Sequence, residues 1–382
     1  MSLESLLPIS ESAMNHLDLA PDQVIGKSII LHTESSGFPP LKDVKIGIIG
    51  VTENRNAFFP TLDYDLDSFR NSFYNLFPGN WKFKLADLGN LPNGNSVKDT
   101  YYAISEICKE LNQQNIVTII IGGSHDIIYP IYKSYSSYNR LVNIVSIDNQ
   151  FDFSQEEELI SGRSYMSQII MEEPNYLHNF TNLGYQSFFI SQEELDLMEK
   201  LYFEHMRLGK VLDDISQTEP HFRDADIVGI DMKSLSWTAT GTNTFGQANG
   251  IDSRSICSLA RYSGISDRVS SFGVFELPSS PVFHQLLSQI IWYFIEGYSL
   301  RFGEYPINTN DGFTKYIVTL SGRELVFYNS EVSKRWWVEL TNENFMDNKL
   351  KRTTLLPCTK QDYDTACADE LPDRWWKASR RG

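Results

Sequence analysis

The chain has 382 residues and a formal net charge of −16 at pH 7, from 49 acidic and 33 basic residues. This charge opposes binding to nucleic acid, which requires a basic surface. No apolar stretch is long enough to span a bilayer and the N-terminus lacks the pattern of a secretion signal, so we expect no membrane contact. Four scattered cysteines without a Cys-x-x-Cys pair favour free thiols and a cytoplasmic location.

Short apolar runs rich in β-branched residues indicate strands that are buried on both faces, as in a parallel sheet. In chain order the predicted strands are Lys45–Val51, Ile116–Ile121, Leu141–Asp148, Ser187–Ile190, Asp226–Asp231 and Ser271–Leu277. Between the first two strands, Ser96 and Asp99 form a capping pattern that predicts a helix. Further helices are predicted at 198–210 and 282–300. The alternation predicts a three-layer, doubly wound α/β domain with a mainly parallel sheet.

The pattern changes after residue 305. Residues 314–330 predict two strands joined by a Ser-Gly turn, and 335–340 predict a third. We therefore expect an N-terminal extension at 1–40, the α/β domain at 41–305, and a small β-rich appendage with a tryptophan-rich tail at 306–382.

The tripeptide Arg-Trp-Trp occurs twice, at Arg335–Trp337 and Arg374–Trp376. We interpret the pair as an aromatic clamp that folds the tail onto the main domain. An exposed aromatic recognition patch is the alternative. The basic segment at 377–382 is interpreted as a solvated tail.

Polar side chains stand at the carboxyl ends of four predicted strands, where open α/β sheets bind their ligands. His125 follows the second strand and Asp152 follows the third, which ends at Asp148. Asp231 ends the fifth strand, and Glu276 lies at the end of the sixth. Carboxylates gathered there would repel one another without a cation, and one imidazole with three carboxylates suits Mn²⁺ and related metals. Ordinary loop polarity without a metal is the alternative.

Three segments together resemble the metal-binding motifs of the ureohydrolases, the family of arginase, agmatinase and formimidoylglutamase. They are GGSHD at 122–126, SIDNQFD at 146–152 and GIDMKSLSW at 229–237, and their order and separations also match. SGRSYMSQI at 161–169 is most similar to the formimidoylglutamase branch. The resemblance covers about residues 40–305 and implies the arginase type of α/β fold. It also implies hydrolysis of a carbon–nitrogen bond in an amidine or guanidine, with water activated by two Mn²⁺ ions.

The resemblance implies four protein ligands for one metal: His125, Asp148, Asp152 and Asp231. It implies in addition that Asp152 can carry a proton to the leaving amine, and that Glu276 helps to hold the amidino or guanidino group. The histidine and aspartate that complete the family's second metal site are replaced here by Gln150 and Lys233. An ammonium cannot ligate a metal and repels a neighbouring dication. We therefore expect one Mn²⁺ or none, rather than two.

Charge balance leads to a prediction for Lys233. The three negative charges of Asp148, Asp152 and Asp231 can be balanced by one divalent ion and one ammonium. We predict that Lys233 points into the vacated second site and bonds Asp148 or Asp231, and that Gln150 donates to a neighbouring carboxylate. The alternative is that Lys233 extends to solvent beside an empty site.

Three functions remain open. The first is a binding or regulatory protein with one intact metal half-site and weak or no hydrolytic activity. The second is an active metal-dependent hydrolase of linear amidines, of the formimidoylglutamase type. The third is a one-metal enzyme in which Lys233 acts as an acid or electrostatic catalyst. A small amidino or guanidino compound is the expected ligand, and a homo-oligomer, common in the family, stays open.

Overall fold

A nine-stranded parallel sheet forms the centre of the molecule. A computed structural model describes residues 2–15, 17–57, 64–138, 140–153, 160–243, 246–304, 312–320, 322–340 and 355–381. The strands of this sheet are β1 Ile30–Leu31, β2 Val44–Val51, β3 Lys84–Leu91, β4 Val117–Ile121, β5 Val142–Ile147, β6 Leu177–Tyr185, β7 Glu204–Arg207, β8 Ile227–Asp231 and β9 Ser271–Phe275. Their spatial order is β1-β3-β2-β4-β9-β8-β5-β6-β7. The carboxyl ends of β4, β9, β8 and β5 therefore lie side by side.

Helices pack against both faces of the sheet, as the sequence predicts for a three-layer α/β domain. They are α1 Ile25–Ser28, α2 Leu66–Tyr74, α3 Val97–Gln113, α4 Ile128–Ser134, α5 Tyr165–Met171, α6 Gln192–Lys200, α7 Leu208–Asp213, α8 Glu219–Arg223, α9 Trp237–Thr240, α10 Ser253–Ile265 and α11 Pro281–Ser299. One hydrophobic core contains buried residues of α2, α10 and α11. A second core contains buried residues of α3, α4 and α5.

The two helices with clear sequence signals form as predicted. Ser96 accepts a hydrogen bond from the main chain of Asp99, whose carboxylate accepts one from the main chain of Ser96. This capping box satisfies N–H groups that the first turn of α3 would otherwise leave without partners. In α11, Ser280 caps the helix and Pro281 occupies the first turn, where the missing N–H of proline has no consequence.

Two predicted elements are wrong. Residues 187–190 form a turn rather than a strand, and the strand of this region is β6. Sequence periodicity missed β6 because its buried positions include polar amide side chains, such as that of Asn182, whose Nδ2 donates to the carbonyl of Gln150 at 2.6 Å. The helix predicted at 198–210 is divided among α6, β7 and α7. Tyr202 interrupts it with a left-handed φ of 54°.

The C-terminal part of the chain forms a separate antiparallel sheet of four strands. They are β10 Phe313–Leu320, β11 Arg323–Ser330, β12 Trp336–Glu339 and β13 Leu355–Cys358, hydrogen-bonded in this order. The first three are the strands that the sequence predicts. Two helices that it does not predict follow them, α12 Lys360–Cys367 and α13 Asp373–Arg380. The boundary predicted at 305/306 and the turn residue Ser321 lie outside the described residues.

The basic end of the chain is not a solvated tail. Lys377 and Arg381 are 6% and 7% exposed and contact the α/β domain. The tail thus folds onto that domain through charged side chains. Of the two Arg-Trp-Trp segments, the first also contacts the domain, since the guanidinium of Arg223 lies over the ring of Trp337 at 4.8 Å. The indole N–H of Trp375 instead donates to the carbonyl of Glu339, at 2.9 Å, within the appendage.

The cysteines agree with the expectation of free thiols. All four cysteines are free thiols, and of these Cys367 is exposed while the others are buried. In the part of the chain that the structure describes, no helix has both the length and the apolar character needed to cross a bilayer.

Candidate metal centre

The four central strands deliver the predicted residues to one edge of the sheet. His125 begins a short turn after β4, reached through Gly122 and Gly123. Both glycines have positive φ, and a Cβ on Gly122 would lie 2.4 Å from the carbonyl oxygen of Val51. Only glycine fits here, because the chain must turn sharply past β2.

The other candidates follow the neighbouring strands. Asp148 directly follows β5, Asp231 is the last residue of β8, and Glu276 directly follows β9. Asp152 and Glu276 adopt left-handed backbone conformations, with φ of 58° and 55°. In this way the fold gathers residues that are up to 151 positions apart, as between His125 and Glu276.

The candidate metal cluster is compact and buried. His125 Nδ1 lies 3.3 Å from Oδ2 of Asp148, 3.0 Å from Oδ2 of Asp152 and 3.5 Å from Oδ2 of Asp231. None of these side chains is more than 2% exposed. His125, Asp148 and Asp152 offer ligand atoms that all lie within 4.8 Å of one another.

The residues present fit a metal ion. His125 Nδ1 and Asp148 Oδ2 are buried atoms that have no hydrogen-bond partner among the described residues. A cation held between them would satisfy both atoms and reduce the repulsion among the carboxylates. An imidazole nitrogen with carboxylate oxygens is a donor set that suits Mn²⁺ and similar divalent ions.

Ionisation in the cluster reflects burial and mutual repulsion. Burial raises the pKa of Asp148 to about 6, and the charge of Asp152 adds to this effect. Burial likewise raises the pKa of Asp231. For His125, burial alone would lower the pKa, but the carboxylates of Asp148 and Asp152 beside it raise the pKa well above the usual value. The cluster therefore attracts positive charge, either a proton or a metal.

Lys233 lies beside this cluster. Its main-chain N–H donates to Asp231 Oδ1 at 2.7 Å, and its Nζ lies 3.0 Å from Asp231 Oδ2 and 3.9 Å from Glu276 Oε1. The side chain is 14% exposed. Burial alone would lower the pKa of Lys233, but the charges of Asp231 and Glu276 raise it above the usual value. The predicted contact with Asp231 is present, and the lysine does not extend to solvent.

Gln150 differs from the prediction. Its side-chain amide donates to the carbonyl of Phe189 at 3.3 Å, not to a carboxylate. Only its main-chain N–H contacts the cluster, by donating to Asp148 Oδ1 at 3.3 Å. The side chain of Gln150 is therefore turned toward the loop after β6.

Two residues at the site were not assigned from the sequence. Tyr165 is fully buried, and its hydroxyl lies 3.4 Å from His125 Nε2, so it contacts the imidazole edge opposite the carboxylates. Gly162 lies against Glu276, because a Cβ there would be 2.9 Å from Glu276 Oε1. Both belong to the 161–169 segment, whose similarity to the formimidoylglutamase branch was the available signal.

A cavity of about 710 Å³ opens next to the cluster. Asp152 and Gln150 line it, together with Arg163 of the 161–169 segment. Its apolar surface comes from Phe153, Phe189 and Leu197. This volume is suitable for a small organic ligand.

Comparison with known proteins identifies relatives of the sequence. The sequence model of the arginase family matches residues 46–284. The formimidoylglutamase of Staphylococcus carnosus (strain TM300) is 27% identical over 124 residues, which is 31% of this chain and 38% of that protein. The formimidoylglutamase of Macrococcus caseolyticus (strain JCSC5402) is 27% identical over 135 residues, which is 34% and 43% of the two chains. The matches thus span less than half of either relative.

Solved structures share the fold. The Trypanosoma cruzi formiminoglutamase, crystallised with Mn²⁺, superposes with a TM-score of 0.62 at 15% identity, covering 69% of this chain and 96% of that chain. The formimidoylglutamase from Bacillus subtilis subsp. subtilis str. 168 gives a TM-score of 0.63 at 14% identity, covering 76% and 99%. At these identities the similarity concerns the fold alone.

Proposed function

Because the chain belongs to the arginase family, with formimidoylglutamases among its relatives, we propose that it holds one divalent cation rather than two and binds a small amidino or guanidino ligand with weak or no hydrolysis. The observation that carries this proposal is the position of Lys233, whose Nζ lies 3.0 Å from Asp231 Oδ2. The ammonium occupies the surroundings that a second cation would need.

Electrostatics supports a single ion. An ammonium and a dication about 4 Å apart repel by about 8 kcal/mol at an effective dielectric constant of about 20. Gln150 offers at most a neutral amide oxygen, which adds no negative charge to offset this repulsion, and its Nε2 donates to the carbonyl of Phe189. A second dication would therefore have to displace Lys233 from two buried carboxylates, those of Asp231 and Glu276.

One ion fits the remaining residues: His125, Asp148, Asp152 and Asp231. A bound divalent cation would supply Lewis-acid polarisation of a carbon–nitrogen group. Asp152 lines both the cluster and the cavity, so it is placed to exchange a proton with a ligand amine. The ammonium of Lys233 also lies 3.9 Å from Glu276 Oε1, so it partly neutralises this carboxylate. Glu276 is therefore less able to pair with a cationic ligand. Binding and hydrolysis are both weakened as a result.

Metal content is the first test. Protein loaded with excess Mn²⁺ and then desalted is expected to retain about one equivalent by elemental analysis. The double variant Gln150→His with Lys233→Asp restores the family's ligand types, and we expect it to retain a second equivalent. Lys210→Asp, which changes an exposed lysine of α7 in the same way, serves as the control and should retain one. Two equivalents in the unchanged protein would contradict the proposal.

Turnover assays separate the remaining functions. Release of ammonia, formamide or urea is measured with formimidoylglutamate, arginine and agmatine as substrates. Weak or absent turnover, together with measurable binding, supports the proposal. Rapid turnover with two Mn²⁺ would establish the active hydrolase instead. Rapid turnover with one Mn²⁺ that is lost in Lys233→Met would establish the one-metal enzyme in which the lysine takes part.

A further inference from the structure

We infer that the C-terminal helix α13 positions α6, the helix that forms one wall of the ligand cavity. The inference deepens the proposed function, on which it rests for the identity of the ligand. It gives the appendage a role at a site to which it contributes no lining residue among those the structure describes. It also explains why the basic residues at the end of the chain are buried.

The wall depends on α6. Of the residues that line the cavity, five belong to this helix: Glu193, Glu194, Asp196, Leu197 and Lys200. Met198 is the fully buried side chain of the helix, and Leu195 and Leu197 pack half-buried against the same core. A nine-residue surface helix with so few apolar contacts is weakly held by them alone. Polar contacts at its carboxyl end therefore have a large share in fixing its position.

One of these contacts comes from α13. Lys377 Nζ donates to Glu199 Oε1 at 3.1 Å, and His205 Nε2 lies 2.8 Å from the same oxygen. Glu199 is one residue before the end of α6, whereas Lys377 is 6% exposed. The contact thus joins a buried end of the tail to the helix that bears the cavity wall.

The tail itself is anchored just beyond α6. Glu204, which is 4% exposed, lies 2.6 Å from His221, 2.8 Å from Arg381 and 3.5 Å from Arg374. Arg381 Nε also donates to the carbonyl of Tyr202 at 3.1 Å. A buried carboxylate paired with two guanidinium groups resists rearrangement, because release of either group leaves charge without compensation. Lys377 is therefore held at a fixed distance from α6.

The test uses Lys377→Ala in the full-length protein, with hydrogen–deuterium exchange of each segment as the readout. The lost ion pair is partly exposed, since Glu199 is 52% exposed, so we expect exchange in 192–200 to rise about threefold to fivefold. Exchange in β5 and β8 should not change. Lys377→Arg should restore slow exchange. Lys360→Ala is the control, because it removes an exposed pair, with Asp364, on the other appendage helix.

Ligand affinity gives a second readout. Arginine should bind Lys377→Ala about threefold to fivefold more weakly than the unchanged protein, while Mn²⁺ uptake and the unfolding temperature stay the same. Hydrogen–deuterium exchange is measured without ligand, so its result does not depend on arginine binding. A protein that does not bind arginine would refute the proposed function, and the exchange result would still decide the inference about α13. Unchanged exchange of α6 in both Lys377→Ala and Arg381→Gln would overturn it. A rise spread evenly over all segments would overturn it too.

Discussion

Replacing Lys233 by methionine tests the charge balance of the metal centre directly. The variant keeps most of the apolar stem but leaves Asp231 and Glu276, which are 0% and 3% exposed, without their nearest cation. Removing one partner of a buried ion pair typically costs about 3–5 kcal/mol of unfolding free energy. We expect a loss of about 3 kcal/mol at pH 8 without metal, because the lysine retains some contact with solvent.

The loss should depend on pH in a defined direction. Burial already raises the pKa of Asp231, and without the ammonium this pKa would rise further. A carboxyl group whose pKa is raised in the folded state destabilises the fold as pH increases above its normal value. Proton uptake relieves this at lower pH, so the loss at pH 6 should be smaller, by up to about 2.7 kcal/mol for one proton over two pH units.

Urea unfolding followed by tryptophan fluorescence, in EDTA at pH 6 and pH 8, measures both effects. Lys210→Met is the control, because an exposed lysine should change stability by no more than about 0.5 kcal/mol. A loss below about 1 kcal/mol at pH 8, or one that does not vary with pH, would refute the view that the ammonium compensates these carboxylates.

Three further predictions concern other parts of the site and the tail. Uptake of Mn²⁺ should weaken as pH falls below about 6. Burial raises the pKa of Asp148 to about 6, and this carboxyl group must lose its proton before it can ligate a metal. Calorimetric titration with Mn²⁺ between pH 5 and 8 measures the effect, and an affinity that does not change with pH would contradict it. Gly162→Ala should lower stability by about 1–3 kcal/mol, because its Cβ would crowd Glu276. It should also reduce Mn²⁺ uptake, since Glu276 accepts a hydrogen bond from the main chain of the ligand His125. Gly209→Ala is the control: its Cβ meets no atom within 4 Å, so it should be neutral or stabilising in urea unfolding. Burial would raise the pKa of Glu204, but Arg374, His221 and Arg381 hold it well below the usual value, so its contribution is present above pH 4.5 and lost as pH falls further. Glu204→Gln should remove that acid dependence, as seen in unfolding curves recorded from pH 3 to 7.

The residues gathered at the centre of the sheet could be predicted from the sequence, because the carboxyl ends of neighbouring parallel strands lie at the same edge of the sheet. Once β4, β5, β8 and β9 are recognised as buried parallel strands, His125, Asp148, Asp231 and Glu276 must lie along one edge. The contact of Lys233 with Asp231 followed from charge balance at the second metal site that the resemblance implied. The direction of Gln150 did not follow, because it depends on the loop after β6, which sequence periodicity did not locate.

The tail shows a different limit. The sequence of a short basic segment does not indicate which residues it will contact. Its partner Glu204, which pairs with Arg374 and Arg381, lies in a strand too short to give a periodic signal. For Tyr165 the similarity of the 161–169 segment indicated a segment near the site, but only the structure shows that its hydroxyl lies 3.4 Å from His125 Nε2. Contacts between segments distant in the chain, rather than local propensity, decide these cases.

The left-handed backbone at Asp152 and Glu276 has a consequence for engineering the protein. A residue with a side chain in this conformation costs the fold about 1 kcal/mol relative to glycine. A glycine at either position would relieve this strain, but it would also remove a carboxylate that contacts His125 or Lys233. Screens for heat tolerance should therefore monitor metal retention as well, because a relaxed backbone at this edge of the sheet need not keep a metal site.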